Sequence, residues 1–424
     1  MDQRAVVTGF LHNGGEILLL RRSENVGSYR GCWGGVAGHV EDHAGPEIED
    51  PKLAAIRAEI REETGIDPDR LSLVRSGEPF SVEDADLGTR WTVHPFLFDC
   101  PTRTVELDSE HTVCEWTAPT DILDRETVPR LWTSYDRVRS TVEDIETDRE
   151  HGSAFLSVRA LEVLRDEAGL LARADNRAAF ENVESVARAL LDARPSMSVL
   201  TNRVNRVIDA AGTDPAAVET AAIEGIDRAE SADERAAENL RSRIDGARVA
   251  TLSRSGTVLR ALQEADPAAV LLSESRPGRE GIDVAETLAA ETAVTVTSDA
   301  AFPGLLCSWE ADFLVVGADA ILPDGAVRNK VGTRAAAAVA AQADVPVVVV
   351  SAVDKVTPDD THHAEDRPGE ELYDGSAVID IVNPTFERTP AELIDRYVTE
   401  RGKYDTEAIR SLAANFESLG TWAE

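Results

Sequence analysis

The stretch "AEIREETGI", residues 58–66, sets Glu59, Glu62 and Glu63 three and four positions apart and closes on Gly65. Residues at that spacing on a helix are surface neighbours, so the three carboxylates share one face. Like-charge pairs at this spacing cost only about 0.2–0.5 kcal/mol each, so the pattern fits a plain solvated acidic helix as well as a site. The surrounding sequence has to decide between them.

Acidity as such says little in this chain. Its 424 residues carry 78 Asp and Glu against 43 Lys and Arg, a net charge of −35. Lysine occurs only at Lys52, Lys330, Lys355 and Lys403. Dense surface carboxylates of this kind fit a salt-adapted cytoplasmic protein, because high ionic strength screens their repulsion. The same balance argues against nucleic acid or an anionic membrane as partner, since phosphate surfaces reward clustered Lys and Arg. Cys32, Cys100, Cys114 and Cys307 form no CxxC pair, so neither a zinc site nor a disulfide framework is expected. No signal-peptide layout opens the chain, and no apolar run reaches the roughly 18 residues of a membrane span.

The length calls for two domains. Residues 1–145 alternate short β-rich runs such as "EILLLRR" and "WTVHPFLFDC" with one helix, which predicts an α+β domain. The acidic stretch at 146–152 reads as a linker or an exposed helix. Residues 153–245 are Ala- and Arg-rich with helical periodicity. From 246 to 424, the runs "ARVATLS", "AAVLLSE", "AVTVTSD", "DFLVVGAD" and "VPVVVVSA" alternate with helical segments, the signature of a parallel sheet covered by helices. Ser253, Glu274, Asp299 and Asp319 follow four successive runs, at the edge where open α/β sheets bind ligands. Polar residues also mark strand ends for turn chemistry alone, but four with distinctive neighbours favour a site. His362 and His363 read as a solvated loop with no identifiable third ligand.

The longer segment "GCWGGVAGHVEDHAGPEIEDPKLAAIRAEIREETGI" resembles the Nudix box of the Nudix hydrolases. Gly38, Glu59, Ile60, Glu62, Glu63, Gly65 and Ile66 match its pattern. The resemblance implies a loop–helix–loop in which Glu59, Glu62 and Glu63 bind Mg²⁺ or Mn²⁺ bridging a pyrophosphate, with Glu110 of "SEHTVCEW" as the candidate base. Hard divalent cations take oxygen ligands, which would explain the crowded carboxylates. His94, alternating with apolar residues on a strand, reads as structural.

Two departures stand out. Ala58 occupies the position where the family carries an Arg, and Arg57 and Arg61 lie at other angles around the helix. About six extra residues separate Gly38 from Glu59, an insertion a loop tolerates. It leaves Glu41, Glu47, Glu49 and Asp50 as alternatives for a further acidic ligand.

The last two-thirds resembles the superfamily that unites the alpha, beta and delta subunits of translation initiation factor 2B with ribose-1,5-bisphosphate and methylthioribose-1-phosphate isomerases. The residues that carry it are "SESRPGREG" (273–281), "VTSDAA" (296–301), "GADAILPDGAVRNKVGT" (317–333) and "NPTFERTPAELI" (383–394). It implies a helical subdomain, a Rossmann-like parallel-sheet subdomain, a homodimer or higher oligomer, and a phosphorylated sugar or nucleotide as ligand. Asp319 keeps the isomerases' acid, and Arg194, Arg276, Asn329 and Lys330 are candidate anchors alongside Ser253, Glu274 and Asp299. Ser253 stands where the isomerases carry Cys, and a hydroxyl is a far poorer proton donor than a thiol. Cys307 lies on another segment and does not replace it.

The sequence therefore leads to a metal-dependent hydrolase of a nucleoside diphosphate derivative, fused to a domain that binds a phosphorylated sugar or nucleotide. The alternatives are an active sugar-phosphate isomerase and a non-catalytic regulatory module of initiation-factor type.

Overall fold

A computed structural model describes residues 2–43, 50–85, 87–148, 150–174, 179–212, 214–361 and 365–423. His362, His363, Glu47 and Glu49 lie outside the described residues. The chain divides into two compact units: Met1–Thr147 with Arg159–Val186 and Thr213–Ile226, and Asp148–Val158 with Ala187–Gly212 and Asp227–Glu424.

The first unit is built on an eight-stranded sheet of β1 (Asp2–Asn13), β2 (Glu16–Arg22), β3 (Trp33–Gly34), β4 (Val36–His39), β5 (Ser72–Ser76), β6 (Phe80–Asp84), β7 (Thr89–Asp99) and β8 (His111–Thr117). β1 and β7 pair in parallel, and their neighbours run antiparallel. The run "ILLL" on β2 is continuously apolar because both faces are covered. Leu18 and Leu20 join Val7, Ile56 and Ile60 beneath α1 (Pro51–Thr64), while Ile17 and Leu19 join Phe10, Leu131 and Tyr135 beneath α2 (Leu131–Asp136).

A short helix α3 (Val142–Thr147) follows, then α4 (Ser153–Ala172). From Arg159 onward, α4 is tied to the sheet by buried charges. His12 bonds Asp99 at 3.0 Å and Glu162 at 2.9 Å, and Arg159 bonds the same two carboxylates. Arg165, 1 % exposed, pairs with Asp166, which also accepts from the Tyr135 hydroxyl. Such charges persist in a core only when paired, and removing one partner costs about 3–5 kcal/mol. The helices α5 (Ala179–Ala193), α6 (Ser198–Ala211) and α7 (Pro215–Ile244) complete the helical stretch.

The second unit carries a seven-stranded sheet of β9 (Arg248–Thr251), β10 (Ala269–Ser273), β11 (Val294–Thr297), β12 (Phe313–Val316), β15 (Val347–Val350), β17 (Arg396–Thr399) and β18 (Gly402–Tyr404). Its order is β11-β10-β9-β12-β15-β17-β18, parallel up to β17 with β18 antiparallel at the end. A small antiparallel sheet of β13 (Ala320–Ile321), β14 (Val327–Lys330) and β16 (Phe386–Thr389) stands beside it. Alternate residues of the central strands face opposite layers. Leu314, Val316, Val347 and Val349 pack with α10 (Phe302–Ser308), α11 (Thr333–Gln342) and α12 (Thr406–Leu419). Val315, Val348 and Val350 pack with the end of α7 and with α8 (Gly256–Glu264) and α9 (Glu280–Leu288). This three-layer α/β/α arrangement is what continuous Val/Leu strands demand. From β9 the chain steps outward through β10 and β11, then crosses to β12 on the other side. The topological switch point, where such sheets open a crevice, therefore lies beyond the carboxyl ends of β9 and β12.

Candidate active site

In the first unit, helix α1 aims the carboxylates. Asp50 caps its start, accepting from Lys52 N at 3.0 Å and Leu53 N at 3.1 Å, with Pro51 at the first helical position. Gly65 ends it at φ 68°, where only Gly is unstrained. Ala55, Ile56 and Ile60 face the sheet, and this leaves Glu59, Glu62 and Glu63 along the edge of a cavity of about 510 Å³. Gly38 on β4 closes against Glu59, since a Cβ there would lie 1.7 Å from Glu59 Oε1. The glycine of the motif thus makes room for the carboxylate.

Glu63 is 4 % exposed and accepts from Ala37 N at 3.3 Å. Burial, then the neighbouring Glu59 charge, raises its pKa well above the usual carboxylate range, with Asp108 adding to the rise and Arg22 opposing it. Among the described residues five carboxylates line the cavity, Glu59, Glu62, Glu63, Asp108 and Glu110, against the single arginine Arg22. Among the described residues, no three His, Cys, Asp or Glu side chains are already arranged as a metal cage. The donor set nonetheless fits a hard divalent cation: it offers oxygen ligands only, with Glu59 and the buried Glu63 side by side.

Asp50 is the helix cap, and Glu41 is exposed and accepts from Ala5 N, so neither lines the cavity. Arg61 pairs with Asp67 at 3.0 Å, and Arg57 has a buried Nε without a hydrogen bond. The cation that acts on Glu63 is Arg22, from the end of β2. His94 is half-buried and outside the cavity lining, with its pKa lowered by burial and Lys52.

In the second unit Ser253, Glu274, Asp299 and Asp319 follow β9, β10, β11 and β12 at the carboxyl edge of the sheet, and several of the candidate residues are already engaged. Asp299 organises the loop after β10: it accepts from Ser275 N and Arg276 N, each at 2.7 Å, and from the Ser273 hydroxyl. Ser275 Oγ in turn accepts from Ser253 N at 2.7 Å, and both serines have φ 61°. Glu274 is half-buried and tied through its backbone to Thr297, while the Arg276 side chain is exposed. Lys330 Nζ bonds Glu280 at 3.0 Å, and Asn329 donates to Thr333 Oγ1 at 3.1 Å. Arg194 donates to the Asp148 carbonyl, and two residues on, Ser196 holds Arg328 through its carbonyl and Glu365 through its hydroxyl.

Asp319, three residues beyond β12, lies at the switch point. Burial raises its pKa, opposed by Lys355, Arg328 and Lys330. The residue itself is half-buried. Two of the chain's four lysines therefore act on one acid, Lys355 also donating to the Ala318 carbonyl at 2.6 Å.

The model of the initiation factor 2 subunit family matches residues 149–406, and that of the NUDIX domain matches residues 2–138. The chain belongs to the initiation factor 2 subunit family and carries a NUDIX domain. It is 30% identical to a ribose 1,5-bisphosphate isomerase of Haloferax volcanii over 68% of this chain and 96% of that protein. It is likewise 30% identical to a ribose 1,5-bisphosphate isomerase of Archaeoglobus fulgidus, over 63% of this chain and 89% of the other. A translation initiation factor eIF-2B of Pyrococcus horikoshii superposes with a TM-score of 0.52 at 25% identity, covering 62% of this chain and 94% of that one. The NUDIX domain makes the protein an enzyme of the hydrolase class, and the isomerase relatives support enzymatic character for the second domain.

Sequence reading missed Asp108, Arg22, Tyr29, His39 and Trp91 in the NUDIX cavity, and Glu280, Arg328, Lys355 and Glu365 in the initiation-factor-like domain. Lys355 had one available signal, its rarity as a lysine in this chain. Asp108 stands two residues before Glu110 on the same turn, but in so acidic a sequence nothing marked it.

Proposed function

We propose that the NUDIX domain is a divalent-metal-dependent pyrophosphohydrolase of a nucleoside-diphosphate-linked substrate, in a salt-adapted cytoplasmic protein. The observation that supports this most is the excess of carboxylate in one cavity, with Glu63 held buried beside Glu59 and Asp108. Glu59, Glu62 and Glu63 would hold Mg²⁺ or Mn²⁺, which supplies Lewis-acid polarisation of the phosphoryl oxygens when bound. Gly38 and the Ala37 N–H fix the orientation of Glu59 and Glu63. Glu110, exposed at the cavity wall, accepts the proton of the attacking water as its oxygen bonds phosphorus and the bridging P–O bond breaks. The test is a screen of nucleoside diphosphate derivatives with Mg²⁺ or Mn²⁺ at high salt, comparing wild type with Glu62→Gln and Glu63→Gln. Equal, negligible phosphate release by all three proteins sinks the reading.

The second domain, in this reading, binds a phosphorylated sugar or nucleotide at the switch point, with Asp319 as its acid and Ser253, Glu274, Asp299, Arg194, Arg276, Asn329 and Lys330 around it. Asp319 among Lys355, Arg328 and Lys330 favours a second activity there, isomerisation of a ribose-1,5-bisphosphate-type ligand. Formation of ribulose 1,5-bisphosphate from ribose 1,5-bisphosphate checks it, and binding without turnover would make the domain a sensor. Assembly as a homodimer or higher oligomer through this domain is checked by light scattering.

A further inference from the structure

The floor of the NUDIX cavity is one face of the sheet, and its register orders the residues on it. Ala37 of β4 pairs with Thr8 of β1; His39 pairs with Val6, which pairs with Val93 of β7; Trp91 of β7 pairs with Val82 of β6. All of these line the cavity. The rows are successive steps of two residues along the strands, so they point to the same side of the sheet. From the Ala37 row, where Glu63 is anchored, to the Trp91 row is four residues, about 13 Å at the ~3.3 Å rise of a strand. One end of the floor is thus acidic and the other is apolar and aromatic.

At the aromatic end, Tyr29 is held by its hydroxyl on Asp84 at 2.6 Å. Burial and that carboxylate push its pKa up to about 12, so it remains the donor in that bond. The buried Trp91 indole N–H lies near enough to the Tyr29 oxygen to oppose the rise. His39 packs against Trp91 with ring centroids 5.7 Å apart. The Trp91 end offers aromatic surface flanked by Val82 and Val93, with no Lys or Arg among the cavity residues from β6 and β7.

We infer that Trp91, with Tyr29 and Val82, forms the recognition slot for an aromatic base, and that a base-bearing diphosphate lies along the sheet with its pyrophosphate at the Glu59–Glu63 end. The inference rests on the pyrophosphohydrolase reading and sharpens it. A phosphate cannot settle at the apolar end, whereas a planar base gains by stacking there, at roughly 1–3 kcal/mol per base. Trp91 is therefore a specificity-determining residue rather than a participant in bond cleavage.

The test uses the full chain at high salt with Mg²⁺. ADP and ribose 5-phosphate are titrated by calorimetry, and kcat and KM are measured for ADP-ribose and for the base-free 5-phosphoribosyl 1-diphosphate. Trp91→Ala is expected to weaken ADP binding and raise KM for ADP-ribose about tenfold or more. It should change kcat little and leave both base-free compounds unaffected. Trp91→Phe, which keeps a stacking ring, should stay within about threefold of wild type, and Val82→Trp should block the slot without deleting Trp91. Circular dichroism confirms that each variant is folded. Unchanged ADP affinity in both Trp91→Ala and Val82→Trp, or an equal loss for base-free compounds, overturns the slot. Hydrolysis of the base-free diphosphate with no affinity for ADP would overturn it while leaving the hydrolase intact. Trp91-dependent ADP binding without hydrolysis of any diphosphate would do the reverse.

Discussion

The two candidate sites are built on opposite electrostatic plans. In the NUDIX cavity five carboxylates face one arginine among the described residues, and the most buried of them, Glu63, has its pKa raised by burial first and then by the neighbouring Glu59 and Asp108. At the sheet edge of the initiation-factor-like domain several charges are answered from within: Asp299 by two backbone N–H groups and a serine, and Lys330 by Glu280. An unbalanced site stores a requirement for an external cation, while a balanced one can hold its shape before any ligand arrives. The buried His12–Asp99–Arg159–Glu162 cluster follows the balanced plan within the same unit as the NUDIX cavity. Charge balance therefore separates the structural clusters from the proposed metal site better than acidity does.

The comparison breaks most visibly at Glu63. Glu63→Gln removes a proposed ligand of a cation whose polarisation supplies several kcal/mol, so hydrolysis should fall by about a hundredfold or more. The melting temperature should hold or rise, because the variant also relieves the repulsion from Glu59 and Asp108. A folded variant with wild-type turnover would put the metal site elsewhere. At the balanced site the expected effect is structural. Asp299→Ala strips the partners from Ser275 N and Arg276 N and should destabilise the second domain by about 2 kcal/mol, read as a lower denaturation midpoint, with hydrolysis unchanged. An unshifted midpoint would mean that the loop is held by other contacts.

Arg22→Gln comes next, because it removes the cation that acts on Glu63 and should lower hydrolysis by about tenfold. Ala58→Arg, restoring the family's usual residue, should change it by only about threefold or less, since Arg22 already acts on Glu63. A much larger gain would show that Arg22 is a poor substitute.

The smallest effect is that of pH on the His12 cluster. Burial by itself would lower the His12 pKa, but Glu162 and Asp99 outweigh it and hold the value above the ordinary one. A raised folded-state value means that the stabilisation is complete below the unfolded pKa near 6.5 and is lost as pH climbs through the folded value. Melting curves should accordingly fall by a few degrees at most on the alkaline side, and His12→Asn should flatten that slope. The pKa values of Asp99 and Glu162 are lowered, so their contribution is lost in the opposite direction, as pH drops below the carboxylate range.

Much of this was legible in the chain because it depends on local spacing. The β2 run "ILLL", the stop at Gly65 and the shared face of Glu59, Glu62 and Glu63 follow from periodicity and backbone chemistry. So do the strand ends that bring Ser253, Glu274, Asp299 and Asp319 to one edge. Asp50, by contrast, a candidate ligand by sequence, proved to be the helix cap. Contacts made across long loops were not legible. Arg22 acts on Glu63 although it stands on a strand 37 residues before Glu59. Glu162 closes on His12 across 150 residues. Trp91 reaches the cavity of Glu63 only through the parallel pairing of β1 with β7.

The sequence by itself determined which residues could carry metal, acid and base chemistry, because helix and strand periods set the face each side chain occupies. Which charges remain unanswered depends on the folded chain: Glu63 faces other carboxylates, whereas Asp299 and Lys330 find partners. Charge compensation acts over a few ångströms through space and has no period along the chain.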